Sequence, residues 1–202
     1  MKIRTLLLAV TVAVVVFPQA ANAEVKGARI LFVGNSITVH PPVPEIGSTG
    51  SWGMAATAAE KDYVHLVVGA LAKNRGTKPE FPAVNLAAFE RGYEGFDFVT
   101  ALEKEAAFNA NTVIVALGEN APALTSDETK AKFREAMVRL LTFLRRNDAT
   151  AVYVRSCFWP DLAKDAALKQ ACEQVGGTFI DISALSKDER NHARSELSLI
   201  HI

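Results

Sequence analysis

Alternating strand and helix signals predict an α/β chain, a three-layer α/β/α sandwich around a five-stranded parallel sheet in the flavodoxin-like order 2-1-3-4-5. Three observations carry this. Short apolar runs rich in Val, Ile and Phe recur between longer helical patterns. The first and third runs each end directly in a glycine-started turn, Gly34-Asn35-Ser36 and Gly118-Glu119-Asn120. Past residue 23 there is no Pro/Gly/Ser-rich linker, repeat or low-complexity tract, so one core is the economical reading.

The elements follow in order. Arg29-Ile-Leu-Phe-Val33 opens the sheet as a strand over 29–34, followed by a helix over 54–73 and a second strand over 82–88. A helix over 96–108 leads to the third strand, 112–118, built on Thr112-Val-Ile-Val-Ala-Leu117. The best-defined helix, 126–146, carries Phe133, Met137, Leu140, Leu141 and Leu144 at helical spacing, and Thr125-x-x-Glu128 fits a capping box at its start. A strand over 149–156, a helix over 161–175 and a strand over 178–182 complete the alternation. Such alternation means parallel strands and right-handed crossovers.

Ahead of this domain, Lys2 and Arg4, an apolar stretch from Leu6 to Phe17 and Ala21-Asn22-Ala23 read as a secretory signal peptide over 1–23. The apolar core is shorter than the ~20 residues a spanning helix needs, so no stable membrane anchor is expected and the chain is exported, to the periplasm or beyond. Its removal leaves 20 basic against 22 acidic residues and no basic run, which argues against nucleic acid as a partner. Two cysteines in an exported chain invite a disulfide. Cys157 ends a strand, however, and Cys172 lies ~16 Å along the next helix, beyond the about 7 Å that disulfide Cα atoms allow. Two buried free thiols are favoured, and neither has a local feature that would lower its pKa.

In the 2-1-3-4-5 order the first and third strands are neighbours, and their crossovers leave on opposite faces. A crevice opens at their carboxyl ends, with Ser36 and Asn120 both at its rim. A serine there is placed as a nucleophile, and its own N–H with the Asn120 carboxamide supplies two oxyanion donors. The plainer alternative makes both of them turn residues. The loop from His40 to Trp52 exceeds the usual 2–6 residue connection and lines the same edge; Trp52 either offers an apolar or sugar-stacking wall or anchors the loop on the core.

On these residues the chain resembles the SGNH (GDSL-type) serine hydrolases, from about Gly27 to Ser183. The family's Gly-Asp-Ser reads Gly34-Asn35-Ser36 here, and its Gly-x-Asn-Asp reads Gly118-Glu119-Asn120-Ala121. The resemblance implies an esterase with Ser36 as catalytic nucleophile, Ser36 N–H and Asn120 in the oxyanion hole, and a glycine N–H after the second strand as a further donor. Gly92 is the glycine in that stretch, with Ala88 or Phe89 as alternative donors.

The resemblance also implies a C-terminal Asp-x-x-His pair, and the chain does not show one there. His40 lies in the long loop and His65 in a helix; Asp188 and His192 have one residue too many between them, as in a hydrophilic surface segment; His201 has no acid three positions before it. After 178–182 a doubly wound domain needs a covering amphipathic helix, and 183–202 does not read as one. Residues 196–202 resemble translated sequencing-adapter DNA, so 24–195 is expected to be an incomplete domain with a non-native tail, inactive for want of the histidine.

The expected substrate is a small-molecule or carbohydrate carboxylic ester. No metal or organic cofactor is expected, since metal-ligand spacing, a Walker loop and G-x-G-x-x-G are all missing from the sequence. The alternatives are a non-catalytic glycan- or small-molecule-binding module of the same fold and, more remotely, a flavodoxin-like phosphate binder.

Overall fold

The computed structural model describes residues 28–46, 49–54 and 56–192; the signal peptide, the 196–202 tail and His201 lie outside them. Five parallel strands form one sheet: β1 (Ile30–Gly34), β2 (Ala83–Asn85), β3 (Thr112–Ala116), β4 (Ala151–Arg155) and β5 (Thr178–Ile180), in the order β2-β1-β3-β4-β5. This is the order expected from the sequence. β1 and β3 run side by side with Gly34 opposite Ala116, so the turns that follow them start at the same level.

The helices are α1 (Tyr63–Arg75), α2 (Ala87–Arg91), α3 (Phe98–Ala101), α4 (Glu103–Ala107), α5 (Asp127–Arg145) and α6 (Leu162–Gln174). Successive side chains of a strand point to opposite faces. Leu31 and Val33 therefore pack with Phe133, Met137, Leu140 and Leu141 of α5 and Leu168 of α6, while Ile30 and Phe32 pack with Val64 and Val68 of α1. Three layers result. The Phe32 ring sits edge-on to Tyr63 and to Phe81, each at 6.2 Å between centroids. Full burial of side chains of this kind stabilises by about 1.5–3 kcal/mol each.

Several boundaries differ from the sequence expectation. The helix expected over 54–73 starts at Tyr63, because the Asp62 carboxylate accepts the His65 N–H as its N-cap. The helix expected over 96–108 is two short ones, α3 and α4, broken at Leu102, which is fully buried with non-helical backbone angles. The second strand stops at Asn85, whose Oδ1 accepts the Ala87 N–H and starts α2 where more strand was expected. The capping box of α5 lies one residue later, between Ser126 and Thr129.

Coverage of the α1 face falls across the sheet. Phe32, Ile114, Tyr153 and Thr178 lie in one cross-strand row; Phe32 is buried, Ile114 and Tyr153 are half-buried and Thr178 is exposed. Ile180, on the same face of β5, is 45 % exposed. Among the described residues no helix is long and apolar enough to cross a membrane. Cys157 and Cys172 are free and buried, and burial pushes both thiols up from their ordinary pKa.

Candidate active site

The turn after β1 is fixed by short-range hydrogen bonds. Asn35 Oδ1 accepts the Ile37 N–H at 3.0 Å, and the Asn35 carbonyl accepts the N–H groups of Thr38 and Val39 at 2.9 and 3.2 Å. A Cβ on Gly34 would lie 1.8 Å from Thr38 Oγ1, so only glycine lets the chain fold back this tightly. The Thr38 hydroxyl is in turn 2.7 Å from the Tyr63 hydroxyl, whose pKa burial pushes up to about 12, so the phenol stays neutral. Ser36 sits half-buried on this turn, and its carbonyl accepts the Met54 N–H at 2.9 Å, anchoring the long loop beside it. Among the described residues its hydroxyl makes no side-chain hydrogen bond.

The turn after β3 is built differently. Gly118 has φ +131°, and a Cβ there would lie 2.7 Å from Cys157 Sγ, so backbone conformation and space both demand glycine. Glu90 of α2, fully buried, reaches this turn: its Oε1 accepts the N–H groups of Gly118 at 2.5 Å and Asn120 at 3.4 Å, and its Oε2 accepts Asn120 Nδ2 at 2.6 Å. Burial raises the Glu90 pKa, opposed by the hydrogen bonds from Asn120 and Gly118. Glu119 faces the other way, with Oε1 accepting from Arg155 Nη1 at 2.5 Å and from the Phe158 N–H at 3.1 Å.

Asn35 joins the two turns. Its buried Nδ2 donates to Glu119 Oε2 at 3.1 Å and makes a long 3.5 Å contact with Glu90 Oε1. This accounts for asparagine where the resembled motif has aspartate: a third carboxylate would face two others, whereas a carboxamide donates to both. Ala121 likewise stands where that motif has aspartate. It is buried in the core, where an unpaired carboxylate would be desolvated at high cost.

The remaining sequence candidates fare unequally. Gly92 is exposed and closes α2, with its N–H donated to the carbonyls of Ala88 and Phe89, so it has no free donor for an oxyanion. The Trp52 indole N–H donates to the Ala56 carbonyl at 2.8 Å, which makes it a loop anchor.

The described histidines are all engaged elsewhere. His40 Nδ1 is 2.7 Å from the Pro41 carbonyl. Asp62-x-x-His65, a spacing passed over in the sequence, pairs Asp62 Oδ1 with His65 Nδ1 at 2.8 Å while capping α1. His192 is no surface residue: its side chain is 5 % exposed, packed edge-on against Phe158 and Trp159, because its Nδ1 meets Glu189 and its Nε2 meets the Ser186 carbonyl. No described histidine is hydrogen-bonded to Ser36.

Glu90 and Arg155 are site residues that the sequence reading passed over. Their signal was a charged group set into an apolar context, after Leu86-Ala-Ala-Phe89 and at the end of Ala151-Val-Tyr-Val154. No group of three His, Cys, Asp or Glu among the described residues is arranged to hold a metal.

No family model matches the chain, and no curated protein matches it significantly. Among solved structures, it is similar to an active-site mutant of a family two carbohydrate esterase from Clostridium thermocellum in complex with celluohexase. The identity is 16 % and the TM-score 0.42, over 76 % of this chain; the chain spans about half (53 %) of that one.

Proposed function

We propose that this chain is an exported serine esterase that cleaves carboxylic esters, acyl groups on carbohydrates among them, through an acyl-enzyme on Ser36. One observation carries the reading: the turn bearing Ser36 and the Asn120 carboxamide, at the ends of paired strands, are tied through Asn35 and Asn120 to the same buried carboxylate of Glu90. In the proposed reaction Ser36 Oγ bonds to the acyl carbon, and the carbonyl oxygen becomes an oxyanion held by Ser36 N–H and Asn120 Nδ2. The serine proton passes to a base and on to the departing alkoxide, and water then releases the acid.

The base is the part these residues do not supply, since His40, His65 and His192 are all hydrogen-bonded elsewhere. Losing the histidine of a serine triad lowers turnover on the order of 10⁶-fold, so without a histidine at Ser36 acylation is expected to be slow and turnover slower still. Trp159, 55 % exposed just past β4, offers a sugar a face at the same edge of the sheet.

The test is labelling by a fluorophosphonate, with the adduct mapped by mass spectrometry. An adduct on Ser36 that Ser36→Ala abolishes supports the esterase; labelling elsewhere, or none after prolonged exposure, sinks it. The engaged histidines favour a second reading, a glycan-binding module. It predicts no adduct and oligosaccharide binding, measured by calorimetry, that survives Ser36→Ala. Export is tested by sequencing the N-terminus of secreted material, expected at Glu24.

A further inference from the structure

Every described partner of the Glu90 carboxylate is a hydrogen-bond donor: Gly118 N–H, Asn120 N–H, Asn120 Nδ2 and, at 3.5 Å, Asn35 Nδ2. Backbone N–H groups cannot reverse that role. Nor can the Asn35 carboxamide, because its Oδ1 is already committed to the Ile37 N–H. Asn120 alone can present either end of its carboxamide. A carboxylate selects the NH₂ end, whereas a protonated Glu90 or a glutamine would have an N–H or O–H of its own to place, and Asn120 Oδ1 is the acceptor able to turn toward it.

We infer that Glu90 is a positioning residue: its ionised carboxylate holds the Asn120 carboxamide by one N–H and so leaves the second N–H, rather than the carbonyl oxygen, for the developing oxyanion. The inference rests on the esterase reading for its consequence, though not for its geometry. Glu90 reaches the reacting atoms through its short bonds to Asn120 and the Gly118 turn, and through the long 3.5 Å contact with Asn35 beside Ser36. If the carboxamide reverses, an acceptor replaces a donor at the oxyanion, and the loss falls on the chemical step while substrate binding is unaffected.

The arrangement also makes the donor sensitive to pH. Burial raises the Glu90 pKa, and the neighbouring Glu119 charge pushes the same way, although Glu119 is itself paired with Arg155 of β4. Asn35, from the β1 turn, faces Glu90 as a neutral group. Below that pKa Glu90 carries a proton and the carboxamide reverses; above it the donor is set.

Two measurements test this. The first is fluorophosphonate labelling of Ser36 in the wild type and in Glu90→Gln, resolved into KI and kinact across pH. The expected result is a fall in kinact of about 10²-fold in Glu90→Gln, comparable to loss of an oxyanion donor, at unchanged KI. An acidic limb in the wild-type kinact should also be missing from the variant. The second needs no variant and no activity: the Asn120 side-chain NH₂ resonances, followed by NMR against pH, should titrate above the ordinary glutamate range.

Labelling of Glu90→Gln at the wild-type rate, with Ser36→Ala unlabelled, overturns the inference and leaves the esterase standing. If the wild type is not labelled at all, the esterase reading falls and the NMR decides alone. Asn120 resonances indifferent to pH, or unmoved in folded Glu90→Gln, then overturn the positioning role; a matching titration supports it. Should Glu90→Gln not fold, the wild-type titration carries the test unaided.

Discussion

Two carboxylates that bond at the turn after β3, Glu119 from within it and Glu90 from α2, are treated in opposite ways on its two sides. On the β4 side, Glu119 meets a cation: Arg155 lies 2.5 Å away, with side chains 15 % and 20 % exposed, and the Phe158 N–H adds a second point. On the α2 side, Glu90 is fully buried and meets only neutral donors. An ion pair that ties a loop to the next strand is a structural brace, and similarly sized apolar residues often replace such a pair without loss. A buried carboxylate with no cation costs stability and is retained for what its direction imposes on its partners. The β4 side is therefore expected to govern how well the chain folds, and the α2 side how well it acylates.

Substitution of Asn120 tests the α2 side most directly. Asn120→Ala removes the donor that Glu90 aims, and Ser36 labelling is expected to fall about 10²–10³-fold. Urea titration should show a smaller loss, about 1–2 kcal/mol, for the Glu90 oxygen left without its partner. A variant that unfolds readily yet labels normally would reverse the roles given to the two sides.

On the β4 side, Arg155→Met leaves Glu119 without its cation, held only by the Phe158 N–H and Asn35 Nδ2, with an expected loss of about 3 kcal/mol in urea. Adding Glu119→Gln should restore much of it, and Ser36 labelling in the double variant should stay near wild type. Labelling that collapses in a stable double variant would show that the brace also sets the chemistry. Gly118→Ala falls between the two sides, since its φ of +131° and the approach of Cys157 Sγ to 2.7 Å both oppose a methyl group. The expected loss is about 2 kcal/mol, seen as a lower urea midpoint, with labelling reduced because the same turn carries Asn120.

How far the sequence could reach follows from where its partners lie. β1, β3 and α5 were legible because an unbroken apolar run and a 3.6-residue repeat each report burial within one element. Ser36 and Asn120 were legible as motifs attached to those strands. Glu90 was not, since it meets Asn120 30 positions later and Asn35 55 positions earlier, and Arg155 meets Glu119 across 36. Gly92 looked like a donor because it was a glycine in the right interval, but its N–H closes α2. His192 looked solvent-facing in a run of charges, and its burial between Phe158 and Trp159 depends on a 3-10 turn at Glu189–Asn191 that no periodicity announces.

The smallest effect separates the two carboxylates by sign. Burial raises the folded-state pKa of Glu90 above its ordinary value of 4.5, so in the window between the two the native chain binds the proton that the unfolded chain has released. Glu90's contribution is then fully present below the unfolded value, declines as pH rises through the window, and is level above it, with a slope of at most about 1.4 kcal/mol per pH unit. Exposed Asp181 and Asp188, whose hydrogen bonds lower their pKa, act in the opposite direction in both wild type and variant. The stability difference between wild type and Glu90→Gln, from urea titrations at several pH values, cancels them and is expected to move against the wild type as pH rises. Labelling of Ser36 should increase over the same window, because the ionised form that destabilises the fold is the form that turns the Asn120 N–H toward the oxyanion. A difference that is flat with pH would mean that Glu90 does not exchange its proton there, and the α2 side would then be a brace of the same kind as the β4 side.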